Sequence, residues 1–227
     1  KMLKTAGTQV AIGLGIESYA SPGVAVAETA FFPWLDFSLQ GVSEKSHFTA
    51  ARGLRNLYSN SMIKRKYSQG SFSIVPNVKL FPYFAALALG SVSSSAAVDA
   101  AYTHTFTVNN TNATPRTATV TVKDGGIQTV QYLNCVCNSL NFDVSDDYAK
   151  ATIEMIGAFP GTDTETESYT QETEFAYHQY TAKFGANLTA AASAQATPIK
   201  SFNLNINNNV MLDEAFLSGS NGVGVGA

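Results

Sequence analysis

The side chains that could do covalent or acid–base chemistry are few, and their spacing does not bring them together. The three histidines are His47, His104 and His178. None has a second ligand one helical turn away, and no His-Glu-x-x-His occurs. Cys135 and Cys137 are two apart, so a strand would show both thiols on one face, too far apart along the backbone for a relaxed disulfide. They supply two of the roughly four ligands of a closed zinc site. They read instead as reduced thiols or small buried hydrophobes. Ser61-Met62-Ile63-Lys64 matches S-x-x-K but lacks the companion motifs of a serine/lysine nucleophile. A Cys135–His104 dyad has no third group to orient it. Gly13-Leu14-Gly15 lacks the third glycine of a dinucleotide loop, and no βαβ unit follows it. The expectation is a protein that is not an enzyme and takes no cofactor or metal.

Composition points the same way. The chain has 227 residues, one ordinary domain or two small ones by length, of which 45% are hydrophobic and only 14% charged, against an average near ~25% charged. So little charge fits a β-rich protein coated with Thr, Ser and Asn, or one whose surface is covered by copies of itself. The net charge of −3 argues against a globally basic nucleic-acid binder. Arg52, Arg55, Tyr58, Lys64, Arg65, Lys66 and Tyr67 still mix cations with aromatics as single-strand binders do. The apolar runs fall short of the ~20 residues that span a bilayer, so no membrane partner is expected. Sequons at Asn109, Asn112 and Asn187 are at chance level in a chain this rich in Asn and Thr.

Alternation sets the fold class. Ala118, Val120 and Val122 alternate with threonines and run into Asp124-Gly125, a hairpin turn pair. Val130, Tyr132, Val136, Leu140, Phe142 and Val144 take even positions, in one long strand or two broken near Asn134. Ala151, Ile153 and Met155 continue the pattern after Asp146-Asp147. These segments predict an antiparallel meander with one apolar face and one Thr/Asn/Gln face. One helix is expected: Asn77 caps, Pro82 sits in a first turn that begins near Phe81, and Gly90 stops it. Everything else reads as strand or loop. Ser71-Phe72-Ser73-Ile74, Ser139-Leu140-Asn141-Phe142 and Ser201-Phe202-Asn203-Leu204 share one pattern, as alternating strands do.

Charge is segregated. Lys45, Arg52, Arg55, Lys64, Arg65, Lys66 and Lys79 follow one another with no acid among them, and Asp163, Glu165, Glu167, Glu172 and Glu174 with no base. Strand spacing would put Asp163, Glu165 and Glu167 on one face. The pattern fits a plus/minus interface between subunits or an acidic lining, and equally two solvated loops.

The order of landmarks resembles the bacteriophage tail tube proteins. Gly13 to Glu17 and Gly23 look like that family's N-terminal arm. Phe31-Phe32-Pro33-Trp34 follows, then a long loop through Gly53-Leu54-Arg55. Gln69-Gly70-Ser71-Phe72 resembles the strand entering the helix, and Tyr102-Thr103-His104-Thr105-Phe106 an aromatic-His-x-Phe strand. Leu133-Asn134-Cys135-Val136-Cys137-Asn138-Ser139-Leu140 is similar to "G-C-x-V-N-S-L", with Asn134 in place of glycine. Ile199 to Asn209 resembles "S-F-x-L-x-I-x-N-N".

The resemblance implies a mainly β fold, an antiparallel β-sandwich or β-barrel with one flanking α-helix. It implies a single domain over 1–227, with an N-terminal arm at 1–30 and a long inter-ring loop at 41–70. The family's chain usually continues past the last strand, so a further C-terminal strand fits the resemblance. Hexameric rings would stack into a hollow conduit for double-stranded DNA in the virion tail, assembled in the host cytoplasm. Partners would be other copies, the tape measure, tail terminator, distal tail protein, a sheath if there is one, and transient DNA. Arg52, Arg55, Lys64, Arg65 and Lys66 would then form the inter-ring contact. Asp163, Glu165, Glu167, Asp143, Asp146, Asp147 and Glu154 would face the lumen. The alternatives are an inner-tube protein of a contractile or type VI-like system, and a β-sandwich adhesin with Trp34, Tyr58 and Tyr83 in an exposed groove.

Overall fold

The computed structural model describes residues 10–48, 60–95, 102–108, 115–125, 127–145, 148–164, 168–169 and 174–211. In chain order its strands are β1 (Val10–Ile16), β2 (Ala30–Phe32), β3 (Trp34–Phe37), β4 (Gln40–Phe48) and β5 (Asn60–Ile74). Helix α1 (Phe81–Leu89) follows, then β6 (Gly90–Ser94), β7 (His104–Val108), β8 (Thr117–Asp124), β9 (Gln128–Val144), β10 (Lys150–Gly157) and β11 (Gly161–Thr162). A 3-10 turn at Tyr177–Gln179, helix α2 (Leu188–Ser193) and β12 (Phe202–Asn207) complete it. The architecture is mainly antiparallel β with α1 flanking the sheet, as the alternation predicts.

The spine is β9. One of its edges pairs with β8 over its first half and β12 over its second. The other edge pairs with β10 and then β11. Beyond β8 come β1 and β2; beyond β10 comes β5, with β3 and β4 in succession along its far edge. These ten strands form one sheet, and β6 and β7 form a separate ribbon. The meander β8–β9–β10 and its turn at Asp124-Gly125 stand where the sequence puts them.

The even-number pattern along β9 needs correction. Ala118 faces Cys135 and Val120 faces Tyr132, so β9 carries an extra residue there. Asn134 absorbs it at φ +53°, a left-handed conformation that Asn tolerates better than most residues. A second shift makes Met155 face Cys137 while Glu154 faces Ser139, leaving Asn138 over. Each extra residue flips the inward face. Tyr132, then Cys135 and Cys137, then Leu140, Phe142 and Val144 thus all point to one core. Val136 is buried too, but on the opposite face.

Helix α1 starts at Phe81, where the sequence puts it, but its N-cap is Leu80, which makes no side-chain cap hydrogen bond, and Asn77 caps the preceding turn instead of the helix. Asn77 Oδ1 accepts from the backbone N–H of Lys79 (3.1 Å) and Leu80 (2.9 Å), closing the turn just before Phe81. Pro82 occupies the first helical turn and Gly90 ends the helix at φ +90°. The helix lays Phe84 on Phe32 and Phe72, each at a ring separation of 5.8 Å, while Phe32 and Phe72 stack at 5.2 Å. This trio ties β2, β5 and α1 together.

Two segments differ from their sequence reading. Residues 10–16 are not an arm: β1 lies inside the sheet between β2 and β8, with Ile12 and Leu14 buried. Its apolar alternation suits a central strand, and Gly13 and Gly15 leave room for the segment folded across it. A Cβ on Gly15 would come within 2.7 Å of the Ala27 carbonyl oxygen. Nor is the stretch 41–70 a long loop. Its described part is a β-hairpin, β4 against β5, paired from Gln40–Gln69 out to Phe48–Asn60. Strand β10 stops pairing with β5 at Ser68, so the outer part of the hairpin leaves the body of the sheet as a two-stranded arm. Helix α2 was not expected; Asn187 caps it, accepting from Ala190 N at 2.9 Å.

Candidate functional site

The sheet's outer face over β12, β9, β10, β5 and β3 is built from short polar side chains in register. One cross-strand row runs Asn207, Ser139, Glu154, Ser71. The next runs Asn205, Asn141, Thr152, Ser73, Asp36. A third runs Asn203, Asp143, Lys150. Residues opposite one another in antiparallel strands share a face, so each row is a contact row. The three serine-led segments of the sequence prove to be strands β5, β9 and β12, and their Ser and Asn members form much of this face.

Hydrogen bonds knit the rows together. Ser73 Oγ and Thr152 Oγ1 are 2.8 Å apart. Asn203 Nδ2 donates to Asn141 Oδ1 (2.8 Å) and Asp143 Oδ1 (3.2 Å). Asn138 Nδ2 and Ser139 Oγ donate to Glu154 Oε2 at 2.9 and 3.2 Å. The only charges on these rows are Asp36, Asp143, Glu154 and Lys150. The face is therefore a broad neutral-to-acidic polar surface with its amides held in place.

Of the acids proposed as a group from sequence, Asp143 and Glu154 lie on this face. Asp163 lies beyond β11, where Gln131 Nε2 donates to its Oδ2 at 2.6 Å. Asp146, Asp147, Glu165 and Glu167 lie outside the described residues. Asn203, Asn205 and Asn207 were missed, although the alternation in Phe202-Asn203-Leu204-Asn205-Ile206-Asn207 carried the signal. A search for charge passes over amides.

The arm is the second feature. Its described residues include four cations, Lys45, Lys64, Arg65 and Lys66, against the single carboxylate of Glu44. Arg65 Nε donates to Glu44 Oε2 at 2.7 Å. That hydrogen bond holds the Glu44 carboxyl below its ordinary value, with Tyr67 OH donating to the other oxygen at 3.1 Å. Lys66 Nζ lies 5.1 Å from the centre of the Phe159 ring at the arm's base. Lys45 and Lys64 are exposed, as are Met62 and Ile63. Arg52 and Arg55 lie outside the described residues.

On the same side of the sheet, over β1 and β8, the segment following β1 folds back and is bonded through Glu17. That carboxylate is buried, at 1% exposure. It accepts from Thr117 Oγ1 (2.7 Å), Thr119 Oγ1 (3.0 Å), Gly23 N (2.6 Å) and Asn134 N (2.9 Å). Thr121 donates to Glu28 further along the same segment. The threonine face that alternation predicted is thus covered by the chain itself and held by acidic acceptors.

The groups with chemical potential stay apart. Cys135 and Cys137 are free and fully buried. Burial pushes both thiols up, helped by Glu17 near Cys135 and Glu154 near Cys137, the latter to about 12; neither is a thiolate at neutral pH. His104 is exposed on the β6–β7 ribbon, with Nδ1 2.7 Å from Ser94 Oγ, away from the core that holds Cys135. Ser61 and Lys64 stand on a strand, which lacks the helical turn that brings i and i+3 together. Trp34 is half-buried with Nε1 donating to the Val10 carbonyl at 2.8 Å, and it and Tyr83 line different clefts. They do not form the shared aromatic groove of an adhesin; Tyr58 lies outside the described residues.

The described residues form a mainly antiparallel sheet with edges that no described strand pairs, a projecting cationic hairpin and a knitted polar face. The chain belongs to the phage tail tube proteins: the family model of that description matches residues 7–227. It is a structural protein of the virion, whose partners are other tail components. Comparison with the curated proteins gives no match.

Proposed function

We propose that copies of this chain close into hexameric rings, that the rings stack into a hollow tube, and that the tube conducts double-stranded DNA from the capsid into the host. The observation that carries this reading is the polar face of β12–β9–β10–β5, in a chain of the tail tube family. DNA must move past its conduit without adhering. A basic lining would hold phosphates through counterion release. A lining of Asn, Ser and Thr with Asp143 and Glu154 offers no such hold. We place this face toward the lumen. Lys150 lies opposite Asp143 in the cross-strand register, which offsets its charge. The described arm, with Lys64, Arg65 and Lys66, reaches from one ring to the next. The edges of β12 and β4 that no described strand pairs are covered by neighbouring copies, which answers the aggregation hazard of unpaired strands.

The test is to make the face basic without disturbing the core. Phage carrying Asp143→Lys together with Asn205→Lys is expected to build tails of normal length and to eject its genome at least about tenfold more slowly, because each added cation near the phosphates creates a releasable counterion contact. Fluorescence of ejected DNA follows the rate. Ejection at the unsubstituted rate from normal tails would contradict the placement of this face.

A further inference from the structure

We propose that the apolar cleft at the β3 end of the sheet is the receptor for the β4–β5 arm of a second copy of this chain. This rests on the stacking reading above and adds to it the receiving site. The cleft, of about 280 Å³, is lined by Pro33, Trp34, Leu35, Val75, Tyr148 and Glu174. Its wall is the segment around Phe175, whose N–H donates to the Pro76 carbonyl at 3.0 Å while its own carbonyl accepts from Ala149 N at 3.0 Å. Leu35 and Tyr148 are more than half exposed, at 56% and 52%. They leave an apolar surface whose one charged member among the described residues is the Glu174 carboxylate. Glu174 also ends the acidic stretch of the sequence that begins at Asp163.

The arm has the matching composition. Met62 and Ile63 are exposed at 69% and 48%, and Lys64 follows them. Met62 and Ile63 give the two faces of the arm an apolar side chain each, and these with the exposed Lys64 ammonium fit an apolar cleft beside a carboxylate. The two larger apolar clefts do not match in charge. The one beside β12 is lined by Lys183 and His178, the one under the β6–β7 ribbon by Lys79 and His104, and among the described residues neither lining includes an acid.

Geometry decides which copy supplies the arm. Met62 stands near the start of β5 and the cleft residue Val75 just past its end. At about 3.3 Å per residue they are roughly 40 Å apart, so an arm cannot fold back into its own cleft. A second copy displaced along the strand direction presents its cleft to the arm, and presents its own arm to a third. Such a head-to-tail contact does not close, and it propagates as a filament.

The test uses tubes grown from the full chain carrying Met62→Cys and Leu35→Cys. The two native thiols are buried and leave the new pair as the reactive one. Oxidation is expected to give a ladder of covalent dimers, trimers and longer chains, absent when either substitution is made alone. In parallel, Lys64→Glu is expected to cut sedimentable tube at least about fivefold, and the swap Lys64→Glu with Glu174→Lys to restore most of it. Normal tubes that give no ladder, or a swap that restores nothing while each monomer stays folded, overturn this docking site and leave stacking intact. If the unsubstituted chain forms no tubes under any condition, the stacking reading falls and the docking site with it.

Discussion

Replacing Glu17 by alanine is expected to remove about 3–5 kcal/mol of stability, since hydrogen bonds to a charged group contribute about 1.5–3 kcal/mol each and buried donors left without an acceptor cost about 1–3 more. Four donors converge on this one carboxylate: two threonine hydroxyls of β8 and the backbone N–H groups of Gly23 and Asn134. The hydroxyls can rotate toward other acceptors, which keeps the loss below the full sum. The amides cannot, and the Asn134 amide belongs to the bulge that reverses the inward face of β9. Glu17→Gln keeps one acceptor oxygen but turns amide hydrogens toward donors, so about 2 kcal/mol is expected. Urea unfolding gives both values. A loss below about 1 kcal/mol for Glu17→Ala would mean that water reaches this site. Amide exchange should show the effect as local, with Thr117, Thr119 and Thr121 losing protection first.

Phe72→Ala is expected to cost about 3–5 kcal/mol, the range for deleting a buried phenylalanine. Its ring is 1% exposed and lies between Phe32 and Phe84. The cavity would open where strand β5, strand β2 and helix α1 meet, and three separate elements cannot all close on it. For a chain of this size the loss corresponds to a fall in Tm of roughly 6–20 °C. Beyond Ser68 the same strand becomes the arm, so the substitution also loosens the arm's footing. Phe72→Leu keeps most of the volume and is expected to cost about 1.5 kcal/mol or less. A Tm within 2 °C of the unsubstituted chain would show that Phe72 is not part of a tightly packed core.

What the sequence disclosed and what it concealed follow one physical division. The meander from Thr117 to Gly157 was legible because its turn and its alternation are local. Helix α1 was legible because Asn77, Pro82 and Gly90 each act within a few residues of their position. The bulge at Asn134 was half visible as a break; the one at Asn138 was not, because the paired residue it skips is on β10. The placement of β1 depends on β8, about a hundred residues away, so the sequence offered for it only the family resemblance to an N-terminal arm. Glu17 gave no signal of its own, since three of its four partners, Thr117, Thr119 and Asn134, are a hundred residues or more away in sequence. The basic stretch was visible, but its hairpin form depends on pairing across residues 49–59. The polar face was concealed for another reason: each strand contributes two or three unremarkable Ser, Thr or Asn side chains, and only the register of β12 on β9 and of β9 on β10 assembles them.

The low charge content now has a structural counterpart. A lone subunit of this composition leaves Met62, Ile63, Leu35, Tyr148, Phe202 and Leu204 substantially exposed. Such a surface suits a chain that belongs to a tail tube family and is completed by its neighbours.

The most direct test of the account is helical reconstruction by electron cryomicroscopy of tubes grown from the purified chain or isolated from tails. The expected result is a hollow tube of stacked hexameric rings in which β12, β9, β10 and β5 turn Asn205, Asn141, Thr152, Asp143 and Glu154 toward the channel. A tube whose channel is lined by any other face, or a closed oligomer that does not stack, would contradict it.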